Sequence, residues 1–180
     1  RRFGNRDGFD GGYEITRVTL LQPSGGTQQT LRLDVYDTVG RIDLPTPVAP
    51  NGGEVQVELD YAFDLPPYGS DRMGVEKVEQ GTIFQVAQWF PAVCAFDDVS
   101  GWNTLPYLGA GEFHTNFGDF DVSLTVPRDH IVGATGELVN ASEVLTPTQV
   151  ERLERAKRSR ETVMVRGAEE VGVPSSRPLG

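Results

Sequence analysis

"EVQVELDYAFDL", residues 54–65, sets Val55, Val57, Leu59, Tyr61 and Phe63 at alternate positions, with Glu54, Gln56, Glu58, Asp60 and Ala62 between them. Successive side chains of a strand point to opposite faces, so this segment has one apolar and one polar side. That is the pattern of a half-buried antiparallel strand. Upstream, "GNRDGFDGGYEITRVTLLQ" (4–22) opens on glycine-rich punctuation and becomes a strand in which Tyr13, Ile15, Val18, Leu20 and Leu21 roughly alternate with polar residues. "LRLDVYD" (31–37) alternates cleanly, with Leu31, Leu33 and Val35 on one face, and "GRIDLPTPVAPNGG" (40–53) reads as a loop from its three prolines and glycine pair.

Downstream, the turn-rich "LPPYGSDRMG" (65–74) leads into "TIFQVAQWF" (82–90), whose nearly continuous apolar run predicts a more fully buried strand. The loop "DDVSGWNTLPYLGAG" (97–111) precedes three more expected strands, "EFHTNFG" (112–118), "FDVSLTVP" (120–127) and "HIVGATGELV" (130–139). The character changes at "LTPTQVERLERAKRSRETV" (145–163). Thr146 is placed to cap a helix, with Pro147 at its first position, Gln149 completing a capping box and Leu145 able to staple onto Val150. The apolar face of Val150, Leu153 and Ala156 is thin, so this helix belongs on the surface.

The fold class read from these segments is mostly β, an antiparallel saddle or sandwich with one short C-terminal surface helix. Its expected organisation is a β domain over 1–145, a helix over 146–160 and an extended linker over 161–180. The length of 180 residues suits one domain, and 21 glycines and 12 prolines suit short strands joined by many turns. The chain opens on Arg1-Arg2 in place of Met, which reads as a piece of something longer.

Charge narrows the function classes. Residues 1–145 carry 21 Asp and Glu against 9 Lys and Arg, whereas 146–180 carry 5 against 7. An acidic body repels phosphate backbones and anionic lipid, which counts against nucleic acid or a membrane surface as partner. No apolar run is long enough to span a bilayer.

Most chemistry-bearing motifs are missing or weak. His114 and His130 lie far apart in sequence and belong to no His-Glu-x-x-His pair, so no metal is assigned to this chain. Asn5, Asp7 and Asp10 have some look of a calcium loop, but a turn accounts for the same residues. The single Cys94 sits in an apolar stretch and reads as a small hydrophobe. The glycines of 109–111 form no phosphate-binding fingerprint, and Asn140 begins a glycosylation sequon of low specificity. What stands out is "FQVAQWFPAVCAFDD" (84–98), an apolar strand that carries two amides and stops on a carboxylate pair. Gln85 and Gln88 either hydrogen-bond to neighbouring backbone or recognise a ligand at a cleft edge. Asp97 and Asp98 either cap a turn or face a cationic ligand, and Trp89 is a candidate lining residue.

The stretch from Ala87 to Leu138 carries Gln88-Trp89-Phe90-Pro91, then Gly101-Trp102-Asn103-Thr104, Glu112-Phe113 ahead of Gly118-Asp119-Phe120, and Val126-Pro127 ahead of Ala134-Thr135-Gly136-Glu137-Leu138. In this order it resembles the amino-terminal β domain of the gluzincin zinc metallopeptidases, the family of aminopeptidase N and leukotriene hydrolase. The ends, "NRDGFDGGYEI" and "ETVMVRGAEEV", are similar to the same bacterial subgroup. The resemblance implies a non-catalytic domain that forms one wall of a substrate pocket, with its own downstream catalytic domain and peptide substrates as partners. It implies zinc in the parent enzyme, bound by that downstream domain through a His-Glu-x-x-His helix that does not occur here. It also implies that Gln85, twelve positions before Asp97, contacts the substrate's free amino group. Phe90-Pro91 stands where the family commonly has an Arg pair, which makes Gln88 a second candidate, and Val99 stands where it usually has proline. Bacterial members of that family are often exported. The fragment alone is expected to be inactive. The alternative reading is a free-standing β-sandwich module in which Trp89, Trp102 and Tyr107 form a platform for peptide or carbohydrate.

Overall fold

A computed structural model describes residues 9, 11–22, 26–69, 72–106, 114–128 and 130–173. These fall into two compact units, one drawn from Arg1–Val78 and Thr82–Asp119, the other from Glu79–Gly81 and Phe120–Gly180. The chain is mostly β, built from antiparallel sheets with one helix of three turns.

The first unit is organised by a three-stranded sheet in the order β2-β1-β5, where β1 is Glu14–Leu21, β2 Gln29–Thr30 and β5 Gln56–Ala62. β1 and β5 pair antiparallel with Val18 opposite Leu59 and Leu20 opposite Val57. The register slips between Ile15 and Arg17, leaving Thr16 as the extra residue of a bulge. The imperfect alternation of β1 follows from this: the extra residue restores Ile15 and Val18, three apart, to one face. Residues directly opposite each other share a face, so Ile15, Val18, Leu20, Val57, Leu59 and Tyr61 make a single apolar surface. On the other face Arg17 pairs with Asp60 at 2.7 Å and lies 3.7 Å from Glu58; both ion pairs are half exposed and contribute little.

The core is closed by a hairpin of β3 (Leu33–Tyr36) and β4 (Val39–Ile42). Leu31, Leu33, Ile42 and Leu44 pack against Val18 and Leu20, with Ile15, Val57 and Leu59 around them. β4 falls where the sequence reads as loop, because Pro45 and Pro47 lie just beyond it and Asp37-Thr38 supply a two-residue turn. Asp37 takes a φ of 56°, a left-handed conformation that Asp tolerates better than most residues. Val35, expected on the apolar face, is 62% exposed, since it lies at the turn end of the hairpin beyond the core. A second tight turn precedes β5, where Asn51 (φ 62°) and Gly52 (φ 94°) provide the paired left-handed residues of a type I′ geometry.

Two smaller ladders complete the first unit's strands: β6 (Gly74–Val78) with β7 (Gly81–Gln85), and β8 (Phe96–Asp97) with β9 (Gly101–Trp102). The turn of the β6–β7 hairpin belongs to the second unit.

In the second unit, α1 is the single turn Ala141–Val144 and α2 spans Pro147–Arg158. The capping box is present: Thr146 Oγ1 accepts from the Gln149 N–H at 3.3 Å, and Gln149 Oε1 accepts from the Thr146 N–H at 3.1 Å. Gln149 is 2% exposed, the most buried large side chain described. The stretch expected as a linker carries a 3-10 turn at Ala168–Glu170 tied back to α2. Arg152 Nη1 donates to Glu170 Oε2 at 2.5 Å and to the Val165 carbonyl at 3.3 Å, while Glu170 Oε2 also accepts from the Gly167 N–H. The Gly167 N–H, followed by Arg152, holds the Glu170 carboxyl below its usual range.

The strands expected over 120–127 and 130–139 are not strands here. Both stretches run without ladder partners among the described residues, and alternation alone cannot make a strand when no second backbone meets its N–H and C=O groups. Of 112–118, the described part shows one isolated bridge, Cys94 to Thr115.

Candidate functional site

The segment that carries Gln85 and Gln88 leaves β7 at Gln85, its last residue. The sequence predicts a strand to Phe90, largely buried; both expectations are corrected. All five residues of β7 are exposed, because a two-stranded hairpin leaves its faces open unless another layer covers them. Pairing stops because Gln88 has a φ of 52°, which no pleated strand accommodates, and Pro91 beyond it lacks an N–H.

A non-glycine residue in the left-handed region costs on the order of 1–3 kcal/mol and needs a surrounding that holds it. Here the Tyr13 hydroxyl donates to the Gln88 carbonyl at 3.0 Å. Tyr13 is itself positioned two residues ahead of Ile15, at the aromatic end of the sheet's apolar face. Its ring meets Tyr61 edge-on at 5.4 Å and Phe63 at 5.5 Å, and those two rings lie nearly parallel. Burial, followed by the neighbouring Tyr61, raises the Tyr13 pKa, so its hydroxyl keeps the proton it donates throughout the neutral range. The three-stranded sheet therefore anchors the loop carrying Gln88. Tyr13 was legible only as a strand residue; its signal lies in the register, which sets it across from Phe63.

The side chains of Gln85 and Gln88 are exposed and make no hydrogen bond among the described residues. Trp89 is half-buried and packs edge-on against Phe90 at 5.4 Å. Asp97 acts locally, its Oδ1 accepting from the N–H groups of Val99 (2.9 Å) and Ser100 (2.5 Å). These bonds, Ser100 first and then Val99, hold its carboxyl below the usual range, with a smaller contribution from His114. Asp97 thus closes the turn Asp98–Ser100, which ends on Gly101 at a φ of 74°. Asp98 is exposed within that turn. Phe96 and Trp102 face each other across the ladder at 5.1 Å, both more than half exposed. Among the described residues no hydrogen bond or ring contact joins Gln85, Gln88 or Trp89 to Asp97 or Asp98.

No group of three His, Cys, Asp or Glu that could hold a metal ion converges among the described residues. Asn5, Asp7, Asp10, Tyr107 and the glycines of 109–111 lie outside the described residues. No described helix is long and apolar enough to cross a membrane. The second unit has an open depression of about 620 Å³ beside α2, lined by Arg152, Arg155, Ser159, Thr162 and Met164 among others.

Comparison with family models, curated proteins and solved structures returned no match to this chain.

Proposed function

We propose that this chain is the amino-terminal, non-catalytic β domain of a zinc-dependent metallopeptidase of the aminopeptidase type, shaping the pocket that receives the substrate's N-terminus. The reading rests on the ordered motifs between Ala87 and Leu138. The observation that carries it to particular residues is the exposed, unbonded amide of Gln85 at the end of β7, three residues ahead of the pinned Gln88. A carboxamide oxygen accepts a hydrogen bond from an ammonium without demanding a counter-charge, so Gln85 would orient a peptide's amino group and leave bond cleavage to zinc on another domain. Gln88 is the second candidate for that contact. Asp97 is committed to its turn, which leaves Asp98 as the carboxylate of the pair able to face a cationic group.

In the full-length polypeptide, Gln85→Ala is expected to lower kcat/KM on aminoacyl substrates by roughly 10-fold or more, the loss of one hydrogen bond to a charged group. Wild-type kcat/KM in that variant removes Gln85 from the pocket. Reading the gene past the Gly180 codon tests the larger assignment: a His-Glu-x-x-His motif in the following domain supports it, and a stop codon overturns it. The second reading, a free-standing module binding peptide or carbohydrate, is favoured by one observation, the 57% exposure of Trp102 beside Phe96. Trp102→Ala would then abolish ligand retention on a carbohydrate or peptide matrix.

A further inference from the structure

The depression beside α2 has charges of both signs in its wall that are not spent on each other. Arg155, in the last turn of α2, and Glu169, in the 3-10 turn, both line it. Neither makes an ion pair or hydrogen bond among the described residues, so the two do not touch. The charges around them are already committed: Arg152 and Glu170 hold each other, and Glu154 pairs with Lys157 at 2.9 Å. The Glu169 carboxylate has a definite seat. Gly167, also in the wall, has no side chain, and the carboxylate occupies that place: a Cβ on Gly167 would collide with both of its oxygens. Thr162 adds a hydroxyl that has no partner among the described residues, while Val163 and Met164 add apolar surface, Met164 being 63% exposed.

We propose that this depression binds a small zwitterion, an amino acid or short peptide with an apolar side chain. The ligand's ammonium would meet the Glu169 carboxylate, its carboxylate the Arg155 guanidinium, and its side chain Val163 and Met164. The site lies in the second unit, whereas Gln85 and Gln88 belong to the first, and it does not depend on the function proposed above. A carboxylate only accepts hydrogen bonds and a guanidinium only donates them, so the pair is satisfied by a ligand that offers both. A simple anion would also meet Glu169, and a simple cation Arg155, each of its own sign. The volume of about 620 Å³ falls within the range of small-molecule sites, and the charge-assisted contacts at both ends fix the ligand's direction. Because the depression is open and both charges are exposed, solvent screens them, and the expected Kd is on the order of 1 mM.

Amide NMR titrations of the full chain near pH 6.5 test this, with L-leucine and L-leucyl-L-leucine as probes. The one that better spans the gap between the two charges is expected to shift the Thr162, Gly167 and Glu169 amides saturably. Blocking one end of that probe, as its carboxamide or its N-acetyl derivative, is expected to weaken binding roughly 10-fold, the loss of one charge-assisted contact. The variants should show a crossed pattern. Arg155→Gln weakens the parent probe by about the same factor but leaves its carboxamide unchanged, whereas Glu169→Gln weakens the carboxamide and leaves the N-acetyl form unchanged. Arg158→Gln, outside the lining, is expected to change none of them. Absence of a saturable shift with either probe up to about 50 mM, well above the expected Kd, overturns the inference. So do equal shifts with sodium acetate or ammonium chloride alone, a loss in each variant that is the same for every form of the probe, or a loss in Arg158→Gln as large as in Arg155→Gln.

Discussion

Thr19 is 3% exposed in the middle of β1, and its hydroxyl oxygen has no hydrogen-bond partner among the described residues. It lies between Val18 and Leu20, opposite Glu58 on one neighbouring strand and Thr30 on the other. A buried, unsatisfied hydroxyl costs about 1–3 kcal/mol, and Thr19→Val removes it while keeping the shape and the β-branched preference for a strand. The added methyl contributes up to about 0.8 kcal/mol more. The expected net effect is a stabilisation of about 1–2 kcal/mol, seen in urea as a higher midpoint at unchanged m-value. Thr16→Val, three residues earlier, should have the opposite sign. Thr16 Oγ1 donates to the Asp60 carbonyl at 3.2 Å across the bulge, and the loss of that bond costs about 0.5–1.5 kcal/mol. If Thr19→Val lowers the midpoint, the hydroxyl is satisfied in solution and the reasoning is wrong.

Thr146→Ala should cost about 1 kcal/mol of helix stability through loss of the N-cap, measurable as faster amide exchange at Gln149. The β8–β9 turn should loosen in acid. The folded-state pKa of Asp97 is depressed, so its contribution is full above the ordinary Asp range and is lost as pH falls through the lower folded value; Val99 and Ser100 amide shifts would follow that titration, and Asp97→Asn would flatten it. Tyr13→Phe should release the Gln88 carbonyl and let that loop leave its left-handed conformation, read as a backbone shift change at Gln88 while the sheet's own amides stay in place. An unchanged Gln88 would mean that the loop is held by something other than Tyr13.

Periodicity made the central strand legible: residues 54–65 needed only their own alternation to show which face was apolar, and β5 follows it from Gln56 to Ala62. The helix was legible from four residues at its start, because a capping box and an N1 proline act within one turn. Between Ala87 and Leu138 the motifs pointed to the candidate site, and the amides were visible as misfits in an apolar run. Local sequence could not show that β7 ends at Gln85, since the left-handed turn at Gln88 is held by Tyr13, 75 residues away in sequence.

What the sequence determined by itself were quantities set by neighbours a few bonds apart: alternation, capping, turn chemistry and charge. Tertiary structure alone decided which alternating segments became strands. β1 acquired its ladder and its bulge from β5, whereas 120–126, with an equally regular pattern, found no backbone to pair with among the described residues. A strand is a relation between two segments, and the free energy of its ladder lies in a partner that no local pattern names.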